Sequence, residues 1–174
     1  MKKCKNAVVV SSALFIGLIL LISGTGKVPG QLEFFWALLQ TFWTPAMAYF
    51  ISYLLPWVEI ILGIFLLVGL FPRIAAALCL PIIAGFIANN SWAVSKGLEE
   101  FQQCAYCFGA WEEFLGNLSP LGALILDIVL LGLALIVLIL HEEGFLTFRP
   151  WFIRRQTKER VKSDFPPRQI GYPA

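Results

Sequence analysis

The residues of this chain that could do chemistry begin with two cysteines in one short polar stretch. Cys104 and Cys107 lie in FQQCAYCFGAW, residues 101–111, and form a C-x-x-C pair, called the cysteine pair below. Two thiols at this spacing can close a small disulfide ring, exchange electrons with another thiol protein, or contribute to a metal site. Which of these applies depends on the compartment that the stretch faces and on the ligands nearby.

A zinc site is the least favoured of the three, because it usually requires four ligands. The single histidine, His141, and the remaining cysteines, Cys4 and Cys79, all lie towards the opposite face of the predicted membrane protein. Two sulfurs with some glutamates make a poor zinc site. The sequence therefore predicts no metal centre.

A structural disulfide and a redox pair both remain open. A disulfide stabilises mainly by closing a long loop, and a ring that spans only residues 104–107 constrains little of the unfolded chain. Rings this small are typical of exchanging dithiols, so we favour the redox role. Four acidic residues flank the pair: Glu99, Glu100, Glu112 and Glu113. They disfavour the attacking thiolate unless Lys96 or a helix N-terminus compensates.

Three further polar residues lie within or beside apolar segments. Glu59 lies in LPWVEIILG, Asp127 in a long apolar run, and Lys27 at the end of the first apolar run. A carboxyl at membrane depth usually faces the bundle interior and is a functional candidate by default. The alternative is a carboxyl that is hydrogen-bonded between helices, with Ser23, Asn89 and Asn90 as candidate partners. Lys27 either extends to the headgroups or pairs with Glu59.

The elements that must position these residues are membrane helices. The 174 residues are 59% hydrophobic and 14% charged, whereas soluble proteins carry roughly 25% charged residues. A spanning helix needs about 20 mostly apolar residues. Four segments qualify, at about Ala7–Ile22, Tyr49–Leu70, Ile74–Val94 and Leu118–Leu140. The first is longer than a signal peptide's apolar run, so we expect a retained helix. The predicted fold class is an all-α, four-helix membrane bundle.

An aromatic segment separates the first two predicted helices. Residues 26–48 are too polar for a fifth span and contain Phe35, Trp36, Phe42 and Trp43. Such residues suit the headgroup level of a bilayer. We expect a short interfacial helix there.

The distribution of basic residues predicts the orientation. Eleven lie on one side of the predicted helices: Lys2, Lys3, Lys5, Arg73, Arg149, Arg154, Arg155, Lys158, Arg160, Lys162 and Arg168. The other side has Lys27 and Lys96. Basic residues favour the cytoplasmic side, so we expect both termini there and the cysteine pair outside a bacterial-type inner membrane. Outside that membrane, an exposed pair tends to be oxidised. We divide the chain into a transmembrane domain, 1–145, and a basic cytoplasmic tail, 146–174.

Several motifs resemble the MauE family within the DoxX-like superfamily. They are FIGLILLISGTGK at residues 15–27, VEIILGIFLLVGLFPRIAAAL at residues 58–78, and CFG at residues 107–109, followed by a final apolar helix. The resemblance covers roughly residues 10–140. It departs from the family at the cysteines, where C-A-Y-C-F-G replaces C-x-C-F-G, and no second outer pair is present.

The resemblance implies a function that the residues alone do not. MauE-like proteins are four-helix membrane proteins associated with disulfide formation in exported partners, and their architecture is similar to that of vitamin K epoxide reductase and DsbB-type oxidases. By resemblance, the cysteine pair would exchange with a thioredoxin-like or exported partner, and a quinone would be the cofactor. The alternative is a non-catalytic DoxX-like subunit bound to other membrane subunits of a quinone-linked complex. We expect the lipid bilayer as a partner and no nucleic acid.

Overall fold

Helices make up most of the part of the chain that the structure describes. The structure, a computed structural model, describes residues 2–97, 108–112 and 119–140. The elements are α1 (Lys2–Lys27), α2 (Gln31–Leu39), α3 (Pro45–Val68), α4 (Pro72–Ser95), a 3-10 helix (Gly109–Trp111) and α5 (Pro120–Leu140). The cysteine pair and the tail, 146–174, lie outside the described residues.

Four of these helices are long and apolar enough to cross a membrane. They are α1, α3, α4 and α5, and no strand occurs among the described residues. Many large apolar side chains point outward, including Ile139, Phe50 and Ile125. A soluble protein rarely exposes so much contiguous apolar surface. The predicted all-α, four-helix membrane fold is therefore confirmed, and the bilayer is its environment.

The helix boundaries follow from capping residues rather than from hydropathy. Helix α3 begins four residues before the predicted span, because the Thr44 side chain accepts a hydrogen bond from the Met47 N–H and Pro45 occupies the first turn. It ends at Gly69, whose φ of 77° is left-handed. A capping threonine followed by proline commonly begins a helix, and a left-handed glycine commonly ends one.

The turn between α3 and α4 is short. The N–H groups of Gly69 and Leu70 both donate to the Phe65 carbonyl at 2.9 Å. Phe71 is also left-handed, with φ of 45°, and Pro72 then starts α4. This connection folds the two helices back against each other at one end of the bundle.

The core is formed where the four long helices meet. Helix α1 packs most extensively against α3 and also against α5, while α4 packs most extensively against α5. The central cluster includes Ile16, Leu66, Ile83 and Val137, all fully buried or nearly so. A smaller cluster joins α2 to the first half of α3. The predicted short helix between the first two spans is thus α2, which packs on α3.

Candidate functional site

The centre of the site is a buried ion pair between α1 and α3. The Lys27 Nζ lies 2.8 Å from Glu59 Oε1, and the two residues are 1% and 0% exposed. The same Nζ lies 4.6 Å from the ring centroid of Phe86 and 5.2 Å from that of Phe34. The ammonium is therefore held by one carboxylate and two aromatic faces, an arrangement that partly replaces the water it has lost.

Close packing of α1 on α3 makes this pairing possible. A Cβ on Gly17 would lie 2.9 Å from the Gly63 carbonyl oxygen, and one on Gly24 would lie 2.7 Å from that of Pro56. The two helices touch through backbone at both levels, as small residues permit in membranes. Because a helical side chain leans towards the N-terminus of its helix, Lys27 at the end of α1 is directed back into the bundle.

The second oxygen of the Glu59 carboxyl is less well satisfied. Oε2 is buried and accepts no hydrogen bond of good geometry from the part of the chain that the structure describes. The Ser23 hydroxyl lies close enough to the carboxyl to stabilise its charge. The Lys27 ammonium is therefore the principal partner of Glu59.

A second buried carboxyl, Asp127 on α5, lies near the ion pair. The Asn90 side-chain amide donates to Asp127 Oδ2 at 2.7 Å, and both residues are at most 7% exposed. Lys27 and Glu59 are close enough to Asp127 to act on its charge. Among the candidate partners that the sequence offered for a buried carboxyl, Asn90 is the one that Asp127 uses.

A cavity of about 90 Å³ lies beside these groups. Its lining comes from α1, α2, α4, α5, Thr41 and Phe108, and no residue of α3 contributes to it. Its polar lining residues are Ser23, Lys27, Thr41, Asn89, Asn90 and Asp127. Lys27 and Asp127 thus line the same cavity, whereas Glu59, the partner of Lys27, does not line it.

The segment that follows the cysteine pair is fixed at the same end of the bundle. A Cβ on Gly109, whose φ is 56°, would overlap the carbonyl of Gly26 at the end of α1. The Phe108 N–H donates to Glu112 Oε1 at 3.1 Å, which closes the turn. The Trp111 ring N–H also donates to Thr25 Oγ1 at 3.1 Å. Residues 108–112 are therefore anchored to the last turn of α1.

The sulfur atoms of the cysteine pair lie outside the described residues, so their bonding stays a prediction. Cys79 is fully buried in the core of the bundle on α4. No group of three or more possible metal ligands occurs within residues 2–97, 108–112 and 119–140.

The cavity is small for the quinone that the resemblance implied. An apolar cavity of about 150 Å³ holds a single benzene ring, and a quinone ring carries additional oxygens and substituents. The space of about 90 Å³ beside Lys27 does not fit such a ring with the side chains as they stand.

Sequence reasoning found the charged members of this site but missed the residues that enclose it. Phe34 and Phe86 belong to apolar stretches, and nothing in their spacing marks them as neighbours of an ammonium. Gly26 and Gly109 could have been noticed, since each stands in a short glycine-containing motif, TGK or CFG. Gly26 and Gly109 lie far apart in the chain, so no local sequence pattern reveals that they are in contact.

The helices and the site together define a multi-pass membrane protein whose four-helix bundle encloses an ion pair and a cavity lined in part by polar side chains. The chain belongs to the MauE family, whose model, described as Methylamine utilisation protein MauE, matches residues 5–140. Neither curated proteins nor solved structures gave a match.

Proposed function

We propose that this chain is a membrane thiol–disulfide oxidoreductase whose cysteine pair exchanges with an exported or membrane-bound redox partner. The observation that supports the proposal most directly is the anchoring of residues 108–112, which follow Cys107 without a gap. A thiol pair that must meet a partner needs a fixed support as well as access. The contact between Gly26 and Gly109 supplies such a support.

The exchange itself requires only the two thiols and a partner. In the oxidised protein, a thiolate of the partner's dithiol attacks one sulfur of the Cys104–Cys107 disulfide, and a mixed disulfide forms as the other cysteine leaves. The partner's second thiolate then attacks the mixed disulfide. The partner leaves as a disulfide, two electrons pass to the cysteine pair, and the protons of the partner's thiols balance those of the new dithiol.

Single cysteine substitutions test this proposal. Cys107→Ser leaves Cys104 able to form a mixed disulfide but unable to resolve it, and Cys104→Ser tests the reciprocal assignment. One of the two variants should accumulate a partner adduct on a non-reducing gel, and the double variant should accumulate none. The matched control is Cys79→Ala, which removes a buried core thiol and should trap nothing. The proposal is wrong if the double variant supports the partner's oxidation normally.

A second candidate function is a non-catalytic subunit of a larger membrane redox complex. One feature favours it, an exposed aromatic surface on α2 and α3 that consists of Trp36, Tyr49, Phe50, Tyr53 and Trp57. Aromatic residues are enriched where proteins meet partners, although they also suit the headgroup level of a bilayer. Purification of the complex in mild detergent separates the two candidates. A stable assembly with other membrane subunits that survives loss of both cysteines would favour the subunit role.

The orientation belongs to the same proposal. We place both termini in the cytoplasm and the cysteine pair outside, on the strength of the eleven basic residues on one side and two on the other. The end of the bundle that holds Lys27 and residues 108–112 is then the outer end. Membership of the DoxX-like superfamily remains a prediction from the motifs.

A further inference from the structure

The buried polar cluster contains two carboxyls but only one ammonium. Lys27, Glu59 and Asp127 are 1%, 0% and 7% exposed. Lys27 is committed to Glu59 at 2.8 Å. The hydrogen bond that Asp127 accepts comes from a neutral amide, that of Asn90. Within the described cluster, one carboxyl therefore has no cation of its own.

A buried carboxyl without a cation is neutralised by a proton or kept charged by water, since an isolated buried charge is very costly. The geometry favours one oxygen for the proton. Because Asn90 donates to Oδ2 of Asp127, that oxygen is an acceptor, and the proton belongs on Oδ1. With Asp127 protonated, the cluster of Lys27, Glu59 and Asp127 carries no net charge.

The cavity supplies a route for that proton. One water needs roughly 10–15 Å³ of such space and two to four polar partners. The cavity of about 90 Å³ has room for several waters, and Ser23, Thr41 and Asn89 line it together with Asp127. The lining residues of α2 and α4 are uncharged, and within residues 2–97, 108–112 and 119–140 the charged groups that act on Asp127 are Lys27 of α1 and Glu59 of α3.

We propose that Asp127 is a proton-binding site that exchanges its proton with water in this cavity, while Lys27 and Glu59 remain a fixed ion pair. This site does not depend on the cysteine pair. One link between them rests on the proposed function: Phe108, which follows Cys107 directly, lines the same cavity.

Infrared spectroscopy of the full chain in lipid nanodiscs tests the proposal. A protonated carboxyl gives a carbonyl band that is separate from the amide bands and shifts when its proton is replaced by deuterium. We expect such a band in the native protein and its loss in Asp127→Asn. Glu33→Gln is the matched control, because Glu33 is exposed on α2 and does not line the cavity, so its loss should leave the band unchanged. The band should also persist in the variant that lacks both outer cysteines, whether or not that variant has lost thiol exchange.

A second pair of variants tests the route and does not require Asp127→Asn to fold. Ala123 is 3% exposed and lines the cavity, so Ala123→Leu should fill much of it. We expect deuterium exchange of the band to slow by roughly tenfold or more, because exchange then needs local opening. Gly132, on the same helix, has open space around it, so Gly132→Leu should leave the rate of deuterium exchange unchanged. The proposal is overturned if no such band exists, if the band survives Asp127→Asn, or if Ala123→Leu leaves the exchange rate unchanged.

Discussion

Replacing Lys27 with methionine should destabilise the bundle, because Glu59 would then be buried without its cation. The Nζ–Oε1 distance is 2.8 Å, and neither residue is more than 1% exposed. At an effective dielectric constant of about 20, two unit charges at this distance attract each other by ~6 kcal/mol. Lost hydration of both groups offsets much of this attraction. Removal of one partner from a buried pair typically costs about 3–5 kcal/mol in free energy of unfolding.

We expect Lys27→Met to cost ~3 kcal/mol, the lower end of that range, because Glu59 can take up a proton in the variant. The double variant Lys27→Met, Glu59→Met should lie within about 1 kcal/mol of the native protein, since well-packed apolar residues can replace a buried pair without loss. The control is Lys96→Met, an exposed lysine at the end of α4. It should change the free energy of unfolding by less than about 0.5 kcal/mol.

The assay is reversible unfolding of the full chain in bicelles, followed by the fluorescence of its six tryptophans. The free energies of the native protein, the two single variants and the double variant form a double-mutant cycle. Glu59→Met leaves Lys27 buried without its carboxylate and should cost about as much as Lys27→Met. The coupling energy, which is the sum of the two single costs less the cost of the double variant, should then be about 5 kcal/mol. If Lys27→Met behaves like Lys96→Met, or if the cost of the double variant equals the sum of the two single costs, Lys27 and Glu59 do not stabilise the bundle as a pair.

Gly109→Ala should weaken the anchoring to α1 and cost about 2–3 kcal/mol in free energy of unfolding, against about 1 kcal/mol for Gly97→Ala, which has a similar φ but open space around it. Gly63→Leu should destabilise the packing of α1 on α3 by at least about 2 kcal/mol in the same assay, whereas Gly132→Leu should be close to neutral. A membrane-impermeant thiol reagent applied to intact cells after mild reduction should label the cysteine pair and spare Cys4; labelling of Cys4 alone would show that the orientation is inverted.

The long helices could be predicted from the sequence because apolar length is a property of each segment by itself. The structure places the four spans where the hydropathy pattern expects them, and the differences lie at their ends. Helix α3 starts at Pro45 rather than Tyr49, since Thr44 and the proline set its first turn. Helix α5 starts at Pro120, close to the expected Leu118. The residue at which a helix begins or ends depends on single capping contacts, and the mean hydropathy of a segment does not reflect these.

The direction of the Lys27 side chain depends instead on tertiary contacts between residues that are far apart in the chain. From the sequence, Lys27 could extend to the headgroups or turn towards Glu59. In the structure, residues 108–112 cover the end of α1, and a Cβ on Gly109 would press against Gly26 and the Lys27 N–H. The segment therefore closes the outward route of the ammonium, and the route to Glu59 remains. It follows that the ion pair and residues 108–112 form one structural unit, in which loosening the contact between Gly26 and Gly109 would also expose Lys27.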